Sequence, residues 1–176
     1  MKKFSGLLKD LRNFFLTFMI MICLVISFRA IISPEIVIGH SMENSLHEED
    51  YLLSNRLAYS YGDPNYNDIV SFDAEIVAGH DLFIKRVIGL PGDHIQIKDN
   101  VLYRNGKEID EPYIKEPMVT KDLDVKVGES EIFVMGDNRN NSMDSRDFGP
   151  INYKKEVKAK VMIRLKPFNQ DFNYTK

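Results

Sequence analysis

Apolar residues enter this chain as one long unbroken run and then as many short ones separated by turn residues. The long run reads FFLTFMIMICLVISF from Phe14 to Phe28 and continues past Arg29 to Ile32. Residues 14–32 would form a helix roughly 28 Å long, close to the thickness of a bilayer core. The run has no polar face, which argues against a helix buried in a soluble core. Arg29 falls near the far end, where a long side chain reaches the interface. A cleaved secretory signal is the competing reading, but Phe28, Arg29 and Ile31 leave no small-x-small site behind the run. The expectation is a membrane span.

The short runs carry strand periodicity, and no amphipathic helix of useful length follows the span. Candidate strands are 36–38, 51–55, 69–72, 82–88, 94–97, 101–104, 131–135 and 157–165. The last alternates most clearly, with Val157, Ala159, Val161, Ile163 and Leu165 against Lys158, Lys160, Met162 and Arg164. Gly62-Asp63-Pro64, Leu90-Pro91-Gly92-Asp93 and Gly149-Pro150 mark turns between runs. Asn105-Gly106, between 101–104 and 107–109, predicts a type I′ hairpin. Residues 98–130 are charged and turn-rich, as expected of a smaller subdomain inserted on the main sheet. The pattern predicts an all-β, mostly antiparallel fold with one N-terminal transmembrane helix.

Charge adds a direction. Lys2, Lys3, Lys9 and Arg12 precede the span against Asp10 alone, which predicts a cytoplasmic N-terminus, residues 1–13, and an extracytoplasmic domain, residues 33–176. The expected location is the cell membrane, crossed once. A net charge of −3 argues against a nucleic-acid partner. Cys23, the single cysteine, lies inside the apolar run and can form neither an internal disulfide nor a metal cluster.

Three places could carry chemistry. Ser41 follows Ile36-Val37-Ile38-Gly39-His40, so its hydroxyl leaves a short apolar run beside a glycine, where backbone N–H groups can approach a substrate carbonyl. On its own this is more often a turn serine, and Glu43 rules out a Gly-x-Ser-x-Gly elbow. Lys85 and Arg86 interrupt the apolar run Phe83-Ile84-Lys85-Arg86-Val87-Ile88, and alternation puts Lys85 with Phe83 and Val87 on one face. A desolvated lysine has a lowered pKa and can take a proton from a serine hydroxyl; an edge strand with snorkelling cations is the plain alternative. The segment 136–146 is dense in Asp, Asn and Ser, as a solvated loop would be. It could also supply a hydroxyl at Ser142 and an Asp144/Arg146 brace. A calcium loop is disfavoured, because Arg139 falls on a ligand position. His40, His47, His80 and His94 stand in no motif that suggests a Ser-His-Asp triad, and no spacing suggests a metal site.

In this order behind an apolar anchor, the segments resemble the type I signal peptidases, in the single-anchor form of Gram-positive bacteria. Residues 28–42, ending Gly39-His40-Ser41-Met42, are similar to the family's anchor exit and nucleophile box. Asp68-Ile69-Val70-Ser71-Phe72 resembles a second box, and Phe83-Ile84-Lys85-Arg86-Val87-Ile88-Gly89-Leu90-Pro91-Gly92-Asp93 the general-base box. Phe133-Val134-Met135-Gly136-Asp137-Asn138, with Ser142, Asp144-Ser145-Arg146 and Gly149, resembles the last. The resemblance implies a serine endopeptidase that removes signal peptides from exported preproteins after small-x-small sites, without a cofactor or metal. It implies Ser41 as nucleophile, Lys85 as general base and Ser142 as the hydroxyl that orients Lys85. The Ser41 N–H would be one oxyanion donor, while Gly39 stands where some members supply a hydroxyl. Asp137, Asp144 and Arg146 would support the loop, and Ile36, Ile38, Met42, Ile69 and Phe83 would line the substrate groove. Implied partners are signal peptides, membrane lipid and the secretion machinery. Glu43-Asn44-Ser45-Leu46 departs from the family's x-Pro-Thr-Leu, with Asn44 in place of the proline. That departure leaves one alternative, a specialised or non-catalytic assembly factor for surface pilus proteins; a self-cleaving Ser/Lys peptidase related to the SOS repressors is a separate reading, which the apolar anchor disfavours.

Overall fold

The computed structural model describes residues 2–73 and 82–165. Helix α1 (Lys2–Ile31) opens the chain, and its segment Asp10–Ile31 is long and apolar enough to cross a membrane. Phe14, Leu24 and Phe28 are exposed along it, and Cys23 is exposed among them. The helix ends where Ser33-Pro34 begins, since a proline disfavours the helical conformation of the residue before it.

The remaining elements are β1 (Ile32–Ile36), β2 (Tyr51–Asn55), the single turn α2 (Ala58–Tyr61), β3 (Ile69–Asp73), β4 (Leu82–Gly89), β5 (His94–Lys98), β6 (Val101–Arg104), β7 (Lys107–Glu108), β8 (Leu123–Lys126), β9 (Glu131–Met135), the single turn α3 (Ser145–Phe148), β10 (Ile151–Asn152) and β11 (Val157–Leu165). Seven strands form one sheet in the order β1-β2-β11-β3-β4-β9-β10, and four form a second, β7-β6-β5-β8. Every pairing is antiparallel. The fold is therefore mostly antiparallel β-structure behind one apolar helix.

Several boundaries differ from the sequence pattern. The first strand is β1, residues 32–36 rather than 36–38, because Ile32 to Ile36 pair with Asn55 to Tyr51. Ile32 consequently belongs to a strand and not to the span. The second sheet begins at His94, ahead of residue 98. Its core is shared with the main sheet: Ile95, Ile97 and Leu102 pack against Ile88, Phe133 and Met135. Asn105 and Gly106 both have positive φ, 54° and 76°, as a type I′ turn requires.

In β11 the simple alternation fails. Register shifts between Val157 and Ala159 and between Val161 and Ile163 turn Ile163 and Leu165 outward and set Arg164 opposite the buried Leu52. An extra residue on one strand changes which face every later side chain occupies.

Strand β4 organises the core. Ile84 joins Val37, Met42, Leu46 and Leu52, Val87 joins Val70, Phe72 and Val134, and Ile88 joins the cluster between the sheets. A strand buried on both faces holds the two cations it carries rigidly.

Candidate active site

Ser41 sits on a loop that leaves β1 through Val37-Ile38-Gly39. Gly39 has φ +86°, a conformation that a residue with a Cβ adopts only with strain. A hydroxyl-bearing side chain at this position would meet that strain, which fits the presence of glycine here. The loop then closes into a turn in which Ser45 N and Leu46 N donate to Met42 O at 3.0 and 2.8 Å. Met42 and Leu46 are buried and pin the turn to the core. From behind, Asn138 N donates to Ser41 O at 3.0 Å, and Asn138 Nδ2 donates to His40 O at 3.0 Å. The Ser41 N–H donates to no protein acceptor among the described residues, so it is available to a ligand oxygen.

Lys85 lies across from Val70 in β4 and is only 3% exposed. Its Nζ is 2.6 Å from Ser41 Oγ and 5.3 Å from the centre of the Phe83 ring. Burial lowers its pKa from the ordinary lysine value to about 8, against the pull of Asp144 and Asp137, which favour the charged form, and with the repulsion of Arg146. Near neutral pH a useful fraction of the amine is therefore unprotonated. In that form it can accept the hydrogen bond of the serine hydroxyl, which then becomes the donor.

The loop after β9 braces both groups. Asp137, fully buried, accepts from Arg86 Nε at 2.8 Å and from Arg86 Nη2 at 2.6 Å. Arg86 also donates to Ser45 Oγ at 3.1 Å, tying the Ser41 turn to the same pair. Asp144 caps α3 and accepts from Gly136 N at 3.0 Å and from Arg146 Nε at 2.8 Å. Ser142 donates its hydroxyl to Asp144 Oδ2 at 2.8 Å, which leaves its oxygen lone pairs free to accept a hydrogen bond.

Gly136 lies between these parts. A Cβ placed on it would stand 2.5 Å from Ser41 O and would overlap the Ser142 hydroxyl. Gly136→Ala is therefore expected to push the Ser41 turn out of place and lower kcat/KM by about 100-fold. Steady-state cleavage by the purified variant checks this, and a rate close to that of the parent would show that the contact yields freely.

An open cleft of about 970 Å³ runs back from Ser41 and Lys85 between β1 and the start of β4. Ile36, Ile38, Met42 and Phe83 line it. Ile69 does not; it packs against the cluster of Met42, Leu52 and Ile84. Asn44 N makes no hydrogen bond among the described residues, so a proline there would forfeit only the long side-chain bond from Asn44 Nδ2 to Tyr113 O, 3.5 Å. Of the histidines, His40 lines the cleft and faces Glu43, His47 contacts Arg164 and His94 contacts Asp124, while His80 is outside the described residues.

Sequence reading missed the partners of the buried cations. Arg86 was visible as an anomaly in an apolar strand, but nothing local points to Asp137. Arg139 is likewise buried and paired to Glu111 at 2.5 Å, in a segment whose composition suggested only a solvated loop.

A sequence profile of the family described as "Signal peptidase, peptidase S26" matches residues 11–165. Signal peptidase I of Bacillus licheniformis is 40% identical over 147 residues, 78% of this chain and 78% of that protein. Signal peptidase I S of Bacillus subtilis (strain 168) is 36% identical over 151 residues, 80% of each. The crystal structure of a signal peptidase I from Enterococcus faecalis V583 superposes with a TM-score of 0.50 at 30% identity, covering 57% of this chain and 98% of that one. The fold and these matches define a serine endopeptidase. The chain belongs to the signal peptidase family, peptidase S26, and is of the signal peptidase I type.

Proposed function

We propose that this enzyme removes signal peptides from exported preproteins with Ser41 as nucleophile and Lys85 as general base. The observation that carries the reading is the 2.6 Å contact between Ser41 Oγ and a lysine amine that burial keeps partly neutral. Ser41 Oγ attacks the scissile carbonyl while its proton passes to Lys85 Nζ. The resulting oxyanion takes the Ser41 N–H, and the lysine ammonium returns the proton to the departing amine. Water, deprotonated by Lys85, then attacks the acyl carbon, and the lysine ammonium returns that proton to Ser41 Oγ as the acyl group departs. Asp137, Asp144 and Arg146 act by position, holding the loop that backs Ser41. Ser142 acts through Asp144, whose charge bears on Lys85.

α1 anchors the domain, with residues 1–13 in the cytoplasm, 14–31 across the membrane and 32–176 outside. Its apolar length and the basic residues ahead of it support this. Membrane lipid is then in contact with the enzyme, and substrates reach it from the secretion machinery. The small pockets implied by Ile36, Ile38, Met42 and Phe83 suit small-x-small sites.

The test is cleavage of a purified preprotein with an Ala-x-Ala site by the detergent-solubilised chain, compared with Ser41→Ala. The parent is expected to release the mature protein at that site and the variant to release none. Equal cleavage by both would remove Ser41 from the mechanism.

A further inference from the structure

The cleft beside Ser41 is not apolar throughout. Glu35 of β1 lines it, together with Leu82, Phe83 and Ile84 of β4. Its carboxylate accepts hydrogen bonds from Ser71 Oγ at 2.9 Å and from Ser54 Oγ at 3.1 Å. Both serines are fully buried, so the carboxylate is held against a floor built by β2 and β3. Each oxygen receives one neutral donor, whereas an ionised carboxylate has about four acceptor positions.

Among the described residues no cation completes the set. Arg56 and Lys158 line the same cleft, yet neither forms an ion pair with Glu35, and Lys158 faces Asp73 at 3.7 Å. A half-buried carboxylate without a counter-charge has lost hydration that its two serines only partly replace. A cationic group brought into the cleft would restore the balance.

The fold also says which part of a substrate meets it. β1 starts at the end of the anchor and reaches Glu35 after roughly 13 Å of extended chain, before the loop that carries Ser41. A signal peptide leaving the membrane therefore passes Glu35 ahead of Ser41. The residues beside Glu35 are those N-terminal to the scissile bond. This step rests on the anchored-peptidase reading given above.

We propose that Glu35 is a specificity-determining residue, which makes the cleft favour preproteins carrying a lysine or arginine shortly before the cleavage site. The cation would complete the coordination of the carboxylate while the small residues of the site fill the apolar pockets. A purely structural Glu35, stapling β1 to β2 and β3, would affect all substrates alike.

The experiment uses the full chain in detergent and peptides spanning one Ala-x-Ala site. Lysine is placed at each position before the scissile bond in turn, with matched glutamate and alanine series, and kcat/KM is measured for each. At one position lysine is expected to exceed alanine by about tenfold, a charge-assisted hydrogen bond's worth, with glutamate below alanine. Glu35→Gln, which keeps the shape and removes the charge, is expected to bring that lysine-to-alanine ratio close to one, whatever the variant's absolute rate. Lysine no better than alanine at every position, or a ratio that survives in E35Q, overturns the proposal. The wild-type series decides by itself if E35Q folds poorly. Cleavage of all peptides at equal rates removes only the role of Glu35, whereas cleavage of none, the alanine parent included, removes the peptidase mechanism on which it stands.

Discussion

Lys85→Met is expected to lower kcat/KM for preprotein cleavage by at least about 10³-fold, as loss of the base that activates a serine does in other serine peptidases. Methionine fills nearly the same space between Phe83 and the Ser41 turn but can neither take nor return a proton. The wild type should show the matching pH profile. With Lys85 as the proposed base, active as the neutral amine, and burial lowering its pKa to about 8, kcat/KM should rise about tenfold per pH unit below that value and level off above it. Stability follows the same sign. The folded pKa lies below that of a free lysine, so the unfolded chain binds the extra proton and stability rises with pH between about 8 and the ordinary lysine value. Below that window the buried ammonium opposes folding. Lys85→Met should thus be as stable as the parent at pH 7 or more so, by up to about 3 kcal/mol, which separates lost chemistry from lost structure. A flat rate from pH 6 to 10 in the parent, or retained cleavage in the variant, would exclude Lys85 as the base.

Asp137→Ala is the substitution expected to damage the fold most. It leaves the Arg86 guanidinium, 9% exposed, without the carboxylate that takes two of its N–H groups. Stranding one partner of a buried pair costs about 3–5 kcal/mol, equivalent to a fall in Tm of about 10 °C or more for a domain of this size. The Tyr113 ring, 4.2 Å from the guanidinium carbon, cannot replace the lost acceptor. Thermal unfolding followed by circular dichroism measures the loss. Cleavage should fall as well at temperatures where the variant is folded, since Arg86 links Ser45 to the loop that backs Ser41. A Tm within about 2 °C of the parent would mean that the pair contributes little. Arg86→Met combined with Asp137→Leu should recover much of the stability, because an apolar pair strands no charge.

What the sequence determined by itself is local. The apolar run, the strand periodicities of 51–55, 82–88 and 131–135 and the Asn105-Gly106 turn depend on residues a few positions apart, and each is present in the structure. The motif order was legible too, which is why the family resemblance stood on residues alone. What only the tertiary structure decided involves partners far along the chain. Lys85 and Ser41 are 44 residues apart, Arg86 and Asp137 are 51, and Glu35 meets Ser71 across 36. The bulges of β11 reversed the faces of Ile163 and Leu165, and the Ser142 hydroxyl donates to Asp144. Hydrophobic periodicity specifies which face of a strand is buried, but a buried charge has no periodicity. Its partner is set by whichever strands the sheet order brings alongside, and that order is a property of the whole chain.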